Sequence, residues 1–386
     1  MSTPRIFARR ARRLGLLALL LAGSATPAQA EDGVTKGEVV LGMCNALTGP
    51  ASALGLGMKK GATVYFDRVN AAGGVHGRKI RLVSVDDGYE PKNTVERTKA
   101  LIGKDRVFAL FGYVGTPTSV AVLPTVAEEK IPFWGPFTGA EILRTPVNRY
   151  VFNVRGSYYD EAEKQVRTLT ERFKIQRVGI LYQNDAYGLA VRAGILKALK
   201  KRGLDPVGEA TYERNTEDVA VALATLQKAK PDAVSMVGTY KAMAAFIKKA
   251  RASGFSPVFL NVSFVGTAAL LGELGGAGED VLITQVMPSP WDSALPLVEQ
   301  YRADMRAAGR SELDYTDLEG YVAAAVFVEA LKKAGPEPTR EGFITAAESL
   351  RTDVGGMEVS FSPTDHSAMD AVFLTRIANK KIVKFK

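Results

Sequence analysis

From Val39 onward the chain repeats one unit: a short, nearly continuous apolar run, a turn, then an amphipathic stretch of helical period. Such strands are apolar on both faces, so helices must cover them on both sides, which means a mainly parallel sheet in an α/β fold. A first series places strands at 39–44, 80–86, 107–112 and 131–134, with helices at 55–72, 91–102 and 116–129. A second places strands at 177–182, 232–237, 258–260 and 281–286, with helices at 160–173, 187–202, 216–229 and 242–252. Two series of similar size predict two Rossmann-like lobes. Residues 150–155 read as extended, and Pro288 and Pro290 punctuate an extended crossover. Two helical segments follow at 293–307 and 316–334, then strand-like 358–361 and 371–377. The expected crossings at about 155, 288 and 358 make a three-strand hinge, with 31–155 plus 289–357 as the N-terminal lobe and 156–288 plus 358–386 as the C-terminal lobe.

The formal net charge of +9 invites a nucleic-acid partner until its location is considered. Arg5, Arg9, Arg10, Arg12 and Arg13 fall within residues 1–30, which contain no acid, so more than half of the excess belongs to that segment. These arginines precede an apolar run at 14–22, and Ala28-Gln29-Ala30 supplies a small-residue cleavage site. Residues 1–30 are therefore expected to be a cleavable secretory signal peptide, with the mature protein beginning at Glu31 in the periplasm. The arginine pairs lack the flanks of a twin-arginine signal, which favours the general export route. The run is too short to span a bilayer, which needs about 20 residues. With hydrophobic residues at 46% and charged residues at 24%, the remainder has an ordinary globular composition.

Chemistry-bearing residues are sparse. Cys44 is the only cysteine, which excludes an intrachain disulfide, and its place in an apolar strand predicts an inert buried thiol. His76 and His366 are the only histidines, both in polar turns, and there is no H-E-x-x-H, G-x-S-x-G or paired-cysteine motif. No catalytic residue, metal or cofactor is expected. Gly55, Gly57 and Gly61 have dinucleotide-like spacing, and Asp86 or Asp87 ends the next strand. However, residues 45–54 separate the glycines from the first strand, whereas a pyrophosphate site needs them directly after it.

The sequence does place polar, glycine-containing loops after its strands, where open α/β sheets bind ligands. Tyr113-Val114-Gly115-Thr116-Pro117 follows a strand and opens a helix, with Thr116 read as N-cap and Pro117 at the first helical position. Free N–H groups and the helix dipole suit such a loop to a carboxylate. Phe137-Thr138-Gly139 repeats the arrangement after the next strand, and Tyr158, Tyr187 and Tyr240 begin helices or loops of the second lobe.

Leu47-Thr48-Gly49-Pro50-Ala51 with Gly55, the segment Asn70-Ala71-Ala72-Gly73-Gly74-Val75-His76-Gly77-Arg78-Lys79-Ile80, and Asn184-Asp185-Ala186-Tyr187-Gly188 closely resemble the leucine/isoleucine/valine-binding type of periplasmic solute receptor serving ATP-driven importers. The resemblance implies a type I periplasmic binding protein fold, two lobes closing on a ligand. By similarity Thr116 takes the carboxylate-binding hydroxyl position, Phe137 to Gly139 the adjoining ligand loop, and Tyr158 and Tyr187 the aromatic walls. Tyr113, Val114, Gly115, Thr138, Leu54, Tyr240 and Lys241 complete the candidate set. Gly139 and Ala242 depart from the pattern, since amino-acid binders place an acid for the ligand ammonium where Ala242 stands.

The expected function is therefore capture of a small carboxylate, an aromatic or aliphatic organic acid lacking an ammonium, for an inner-membrane ABC permease. Amino-acid binding proper and sensory binding are alternatives from the same fold, and an exported α/β enzyme acting through Asp86 and Asp87 is an alternative from another class. The protein is expected to act as a monomer without nucleic acid.

Overall fold

The computed structural model describes residues 31–385 together with Met1; the remainder of the expected signal lies outside the described residues. Its first sheet is built on β1 (Glu38–Asn45), whose buried apolar residues pair in parallel register with β2 (Lys79–Asp86) on one side and β3 (Ala109–Phe111) on the other. β4 (Phe133–Trp134) and β5 (Val151–Phe152) extend it in the order β2-β1-β3-β4-β5. The connecting helices are α1 (Ser52–Ala71), α2 (Pro91–Gly103) and α3 (Thr116–Glu128). Because β1 lies between β2 and β3, the strand order reverses there, and the loops leaving β1 and β3 diverge to form a crevice.

The chain then enters the second lobe through α4 (Tyr158–Arg167), β6 (Val178–Gln183), α5 (Ala186–Lys200), β7 (Gly208–Tyr212), α6 (Ala220–Ala229), β8 (Ala233–Val237), α7 (Tyr240–Ala252), β9 (Val258–Asn261), α8 (Thr267–Leu274) and β10 (Leu282–Gln285). β6 sits between β7 and β8, giving this sheet its own switch point. α9 (Pro296–Ala307), α10 (Tyr315–Ala334) and α11 (Arg340–Glu348) follow, then a hairpin of β11 (Arg351–Asp353) and β12 (Glu358–Ser360). β13 (Phe373–Ala378) and β14 (Lys381–Lys384) return to the second sheet as antiparallel strands, completing the order β14-β13-β10-β9-β8-β6-β7.

The alternation of strands and helices is as expected, and the departures are local. β7, α8, α11 and the closing strand β14 add elements that a short or polar pattern does not announce. The third passage between sheets comes later than residue 358. Phe361 packs on Trp134 and Phe152, His366 stacks on Phe152 with centroids 4.1 Å apart, and Ser367 bridges Asn153, so the chain leaves the first lobe only before β13. His366, at the end of its polar turn, is thus buried, its Nδ1 3.0 Å from the Val151 carbonyl.

Gly57 and Gly61 of α1 serve helix packing. A Cβ on Gly57 would lie 2.8 Å from Asp317 Oδ1, and one on Gly61 would strike the Asp317 carbonyl of α10. Gly320 of α10 answers them against the Met58 backbone. The two helices therefore approach at backbone distance, and Lys60 meets Asp317 at 2.6 Å between them.

Candidate ligand-binding cleft

The first-lobe side of the cleft is organised by Asn45, the last residue of β1, whose Oδ1 accepts a hydrogen bond of 2.8 Å from the Val114 N–H. Val114 bridges Phe137, and the Phe137 N–H donates to the Tyr113 carbonyl at 2.7 Å, so the two predicted loops run side by side. Thr116 and Thr138 Oγ1 atoms meet at 2.6 Å, both residues buried. Gly115, not Thr116, is the N-cap of α3, with φ +105° and no side-chain cap. The first-turn N–H groups of α3 therefore lack a capping side chain, the condition under which a helix N-terminus receives an anion.

The second lobe supplies side chains from the first turns of three helices. The capping box of Ser157 and Asp160 starts α4 and fixes Tyr158, whose N–H donates to the Gly139 carbonyl at 2.7 Å. A Cβ on Gly139 would lie 2.6 Å from that nitrogen, which explains glycine at the end of the loop. Asp185 caps α5 by accepting from the Tyr187 and Gly188 N–H groups, setting Tyr187. Tyr240 opens α7, and its Oη accepts from the Ala53 N–H of the first lobe at 3.4 Å. Leu54 reaches the same seam, its Cδ2 2.6 Å from where a Gly266 Cβ would stand.

Aromatic rings join the lobes. Phe264, after β9, lies 5.3 Å from Phe137, 4.5 Å from Tyr187 and 6.2 Å from Tyr89, while Tyr158 and Tyr187 are 5.6 Å apart. The Tyr187 Oη is buried without a hydrogen-bond partner, and the Tyr158 Oη lies beside Thr138. Burial raises the Tyr158 phenol to about 12, opposed by the neighbouring Arg155, so it remains a neutral donor.

Arg155 lies at the base of the cleft on the first crossover, 1% exposed, with its guanidinium 5.0 Å from the Phe137 ring centroid. It contacts Ser263 and meets Glu161 of α4 at 3.2 Å and Glu319 of α10 at 3.4 Å. Burial penalises the Arg155 charge, but Glu319 and Glu161 outweigh it and raise its pKa. Burial, reinforced by Glu161, pushes Glu319 up to about 7 against the pull of Arg155.

The cleft thus gathers Leu54, Val114, Gly115, Thr116, Phe137, Thr138, Gly139, Tyr158, Tyr187 and Tyr240. Tyr113 contributes only backbone: its hydroxyl is 3.0 Å from Thr98 Oγ1 and its ring packs on Phe133, on the opposite side of the sheet. Lys241 follows Tyr240 on α7, half-buried, and takes no part in these contacts. Tyr89, Arg155, Gln183, Tyr212 and Phe264 were not among the sequence candidates. Tyr212 donates to Gln183 Oε1 at 3.0 Å and accepts from the Thr239 N–H, while Gln183 Nε2 is 3.4 Å from Tyr89 Oη.

The acids near the cleft are already engaged. Asp185 receives Gln183 Nε2 at 2.6 Å and Arg214 at 3.2 Å, besides capping α5. Glu161 accepts from the Ser263 N–H at 2.7 Å and from the Thr284 hydroxyl. Asp86 accepts from the Leu47, Thr48 and Gly88 N–H groups, and Asp87 from the Tyr89 N–H and Thr94 hydroxyl, so both clamp turns. Glu141 lines a separate groove of about 1170 Å³ beside the crossovers, with Arg144, Asp160 and Asp370.

Residues 38–381 match the family described as periplasmic binding protein. The leucine-specific-binding protein of Salmonella typhimurium is 25% identical over 278 residues, covering 71% of this chain and 74% of that protein. Among solved structures, one from Rhodopirellula baltica, described as a possible leucine/isoleucine/valine-binding protein, is 35% identical with a TM-score of 0.86, covering 93% of this chain and 98% of that one. The fatty acid ABC transporter substrate-binding protein from Thermomonospora curvata is 25% identical with a TM-score of 0.83, covering 92% and 94%. Two α/β lobes meeting at the carboxyl ends of their parallel strands, together with a match across nearly the whole described chain, place this protein in the periplasmic binding protein family, with the type I fold.

Proposed function

We propose that the protein is a periplasmic solute receptor that traps a small carboxylate between its lobes and delivers it to an inner-membrane ABC permease, without catalysis. The observation that carries this reading is the uncapped N-terminus of α3, with the Thr116 and Thr138 hydroxyls beside it, facing an aromatic wall from the other lobe. An anion seated there gains backbone N–H donors and a favourable dipole. The lobe segments 31–155 plus 289–357 and 156–288 plus 358–386 serve as a working division, amended by the packing of 361–367 on the first lobe. No helix among the described residues is long and apolar enough to cross a membrane, which is compatible with a receptor free in the periplasm.

The ligand in this reading lacks an ammonium. A buried ammonium costs several kcal/mol unless compensated. Ala242 is buried and offers no charge, while Asp185 and Glu161 have their oxygens occupied by Arg214, Gln183, Ser263, Thr284 and Arg155. The Thermomonospora curvata neighbour, a fatty acid ABC transporter substrate-binding protein, agrees with a carboxylate of this kind. The leucine-specific relative favours an amino acid as the second reading. Thermal shifts with leucine and with 4-methylpentanoate, its deaminated analogue, separate the two. Stabilisation by the acid alone supports the proposal, and stabilisation by leucine alone refutes it; at 100 times Kd the gain is about 2.7 kcal/mol. Mass spectrometry of co-purified ligand gives its identity directly.

A further inference from the structure

The cleft contains more aromatic surface than a carboxylate seat requires, and two backbone features are devoted to placing one ring of it. Tyr89 has φ +63°, a left-handed conformation uncommon for a bulky residue. The Asp87 carboxylate holds it there by accepting the Tyr89 N–H at 2.8 Å, and the preceding Gly88 N–H donates to Asp86 at 3.0 Å. Opposite, Gly115 leaves the space that the Tyr89 ring fills; a Cβ at that position would run into Cε2. Strain sustained by two carboxylates, together with a glycine shaped to receive the result, points to a function for the ring.

The ring geometry points to what that function is. Within the first lobe most ring pairs meet edge to face, Phe66–Phe111, Phe111–Phe327, Trp134–Phe327 and Tyr65–Tyr321 among them at interplanar angles from 63° to 89°, while Trp134–Phe152 is stacked at 26° and Phe327–Phe343 is tilted at 39°. The four cleft pairs, Tyr89–Phe264, Phe137–Phe264, Tyr158–Tyr187 and Tyr187–Phe264, are instead tilted at 37°, 41°, 49° and 48°. Aromatic pairs favour offset stacking or edge-to-face contact, and these rings adopt neither among themselves. The Tyr187 hydroxyl is buried without a hydrogen-bond partner, and the Tyr158 hydroxyl lies beside Thr138. Rings left between the two favoured arrangements, with donors at their tips, suit a flat guest that carries acceptor oxygens.

We infer that Tyr89 and Phe264, with Phe137, Tyr158 and Tyr187, form a five-ring box that selects a planar aromatic carboxylate over a saturated one of the same size. The inference rests on the carboxylate reading above and narrows it. Tyr89 and Phe137 come from the first lobe and the other three from the second, so the box is complete only when the lobes meet.

Isothermal titration with benzoate against cyclohexanecarboxylate, and phenylacetate against cyclohexylacetate, tests the box with carboxylate and carbon count held fixed. The expected result is at least tenfold tighter binding of the aromatic member in one pair, reduced below threefold in Phe264→Leu. Tyr89→Asn, whose side chain tolerates the left-handed backbone, gives a second variant with the same expected loss should Phe264→Leu fold poorly. Equal or tighter binding of the saturated acids overturns the aromatic box and leaves the carboxylate reading standing. Binding of leucine with no response to any acid overturns both, and no binding by any of the four acids overturns the box.

Discussion

Arg214 Nη2 lies 2.9 Å from a carboxylate oxygen of Glu90, joining the loop after β7 in the second lobe to the start of α2 in the first. Asn215 reinforces this link, donating to the Glu90 carboxylate at 2.7 Å and to the Gly88 carbonyl at 3.1 Å. Both contacts grip the turn that carries Tyr89. The same pairs that hold the lobes together therefore also hold a cleft ring in position.

These links are predicted to bias the lobes toward contact without adding much stability. Arg214 and Glu90 are 23% and 44% exposed, and exposed pairs contribute about 0.2–1 kcal/mol. Combining Arg214→Ala with Asn215→Ala should increase the radius of gyration in small-angle scattering of the unliganded protein while moving the urea midpoint little. An unchanged radius would show that the aromatic contacts alone set the lobe spacing.

Cys44 is predicted to resist thiol reagents in the folded protein. It is fully buried in β1 with Sγ 3.6 Å from Asp87 Oδ2, and burial together with that carboxylate pushes the thiol pKa far up. The thiolate is the reactive form, so labelling should occur only on unfolding. Rapid modification of native protein by a maleimide at pH 7 would contradict this placement.

The layered α/β fold and its two lobes are legible because each buried strand, such as residues 39–44, is apolar on both faces and each is followed by a helical period. The loops at Gly115 and Gly139 are legible for a related reason: polar and glycine residues directly after such strands mark the crevice. Side-chain direction is harder to read. Tyr113 lies two residues beyond β3 on the face toward Phe133, and no alternation in so short a strand reveals that. Tyr89 sits in a turn and Phe264 in a three-residue 3₁₀ helix, both too short for an aromatic residue to carry a periodic signal. Their placement beside one another emerges only from contacts between residues 89 and 264, far apart along the chain. Asp86 and Asp87 invite a catalytic reading in sequence and prove to be turn clamps, because their partners are backbone N–H groups and hydroxyls that a residue pattern cannot display.

Glu319 predicts a particular dependence of stability on pH. Its pKa in the folded protein is about 7, above the ordinary 4.5, so between those values the folded state binds the proton that the unfolded state has released. Its contribution therefore favours folding at acid pH and is lost as pH rises toward 7, by about 3 kcal/mol at most. Asp317, raised to about 7 chiefly by burial, has the same sign. Glu319→Gln should consequently flatten, without abolishing, the decline in unfolding free energy between pH 5 and 8 measured in urea. Parallel profiles for the two proteins would remove Glu319 as a source.

Gly115→Ala is predicted to be among the more damaging single-methyl additions in the molecule, for two separable reasons. The alanine would need φ near +105°, a region that L side chains rarely adopt, and its Cβ would collide with the Tyr89 ring. The backbone part alone costs about 1–3 kcal/mol, and displacing a ring held by Asp87 adds to it. Tyr89→Ala removes the ring and relieves the second part while leaving the first. The double variant should therefore be less destabilised than the sum of the two single variants, by about 1 kcal/mol or more. Urea unfolding of the four proteins measures this coupling, and strict additivity would mean that the Tyr89 ring does not occupy the space that Gly115 leaves.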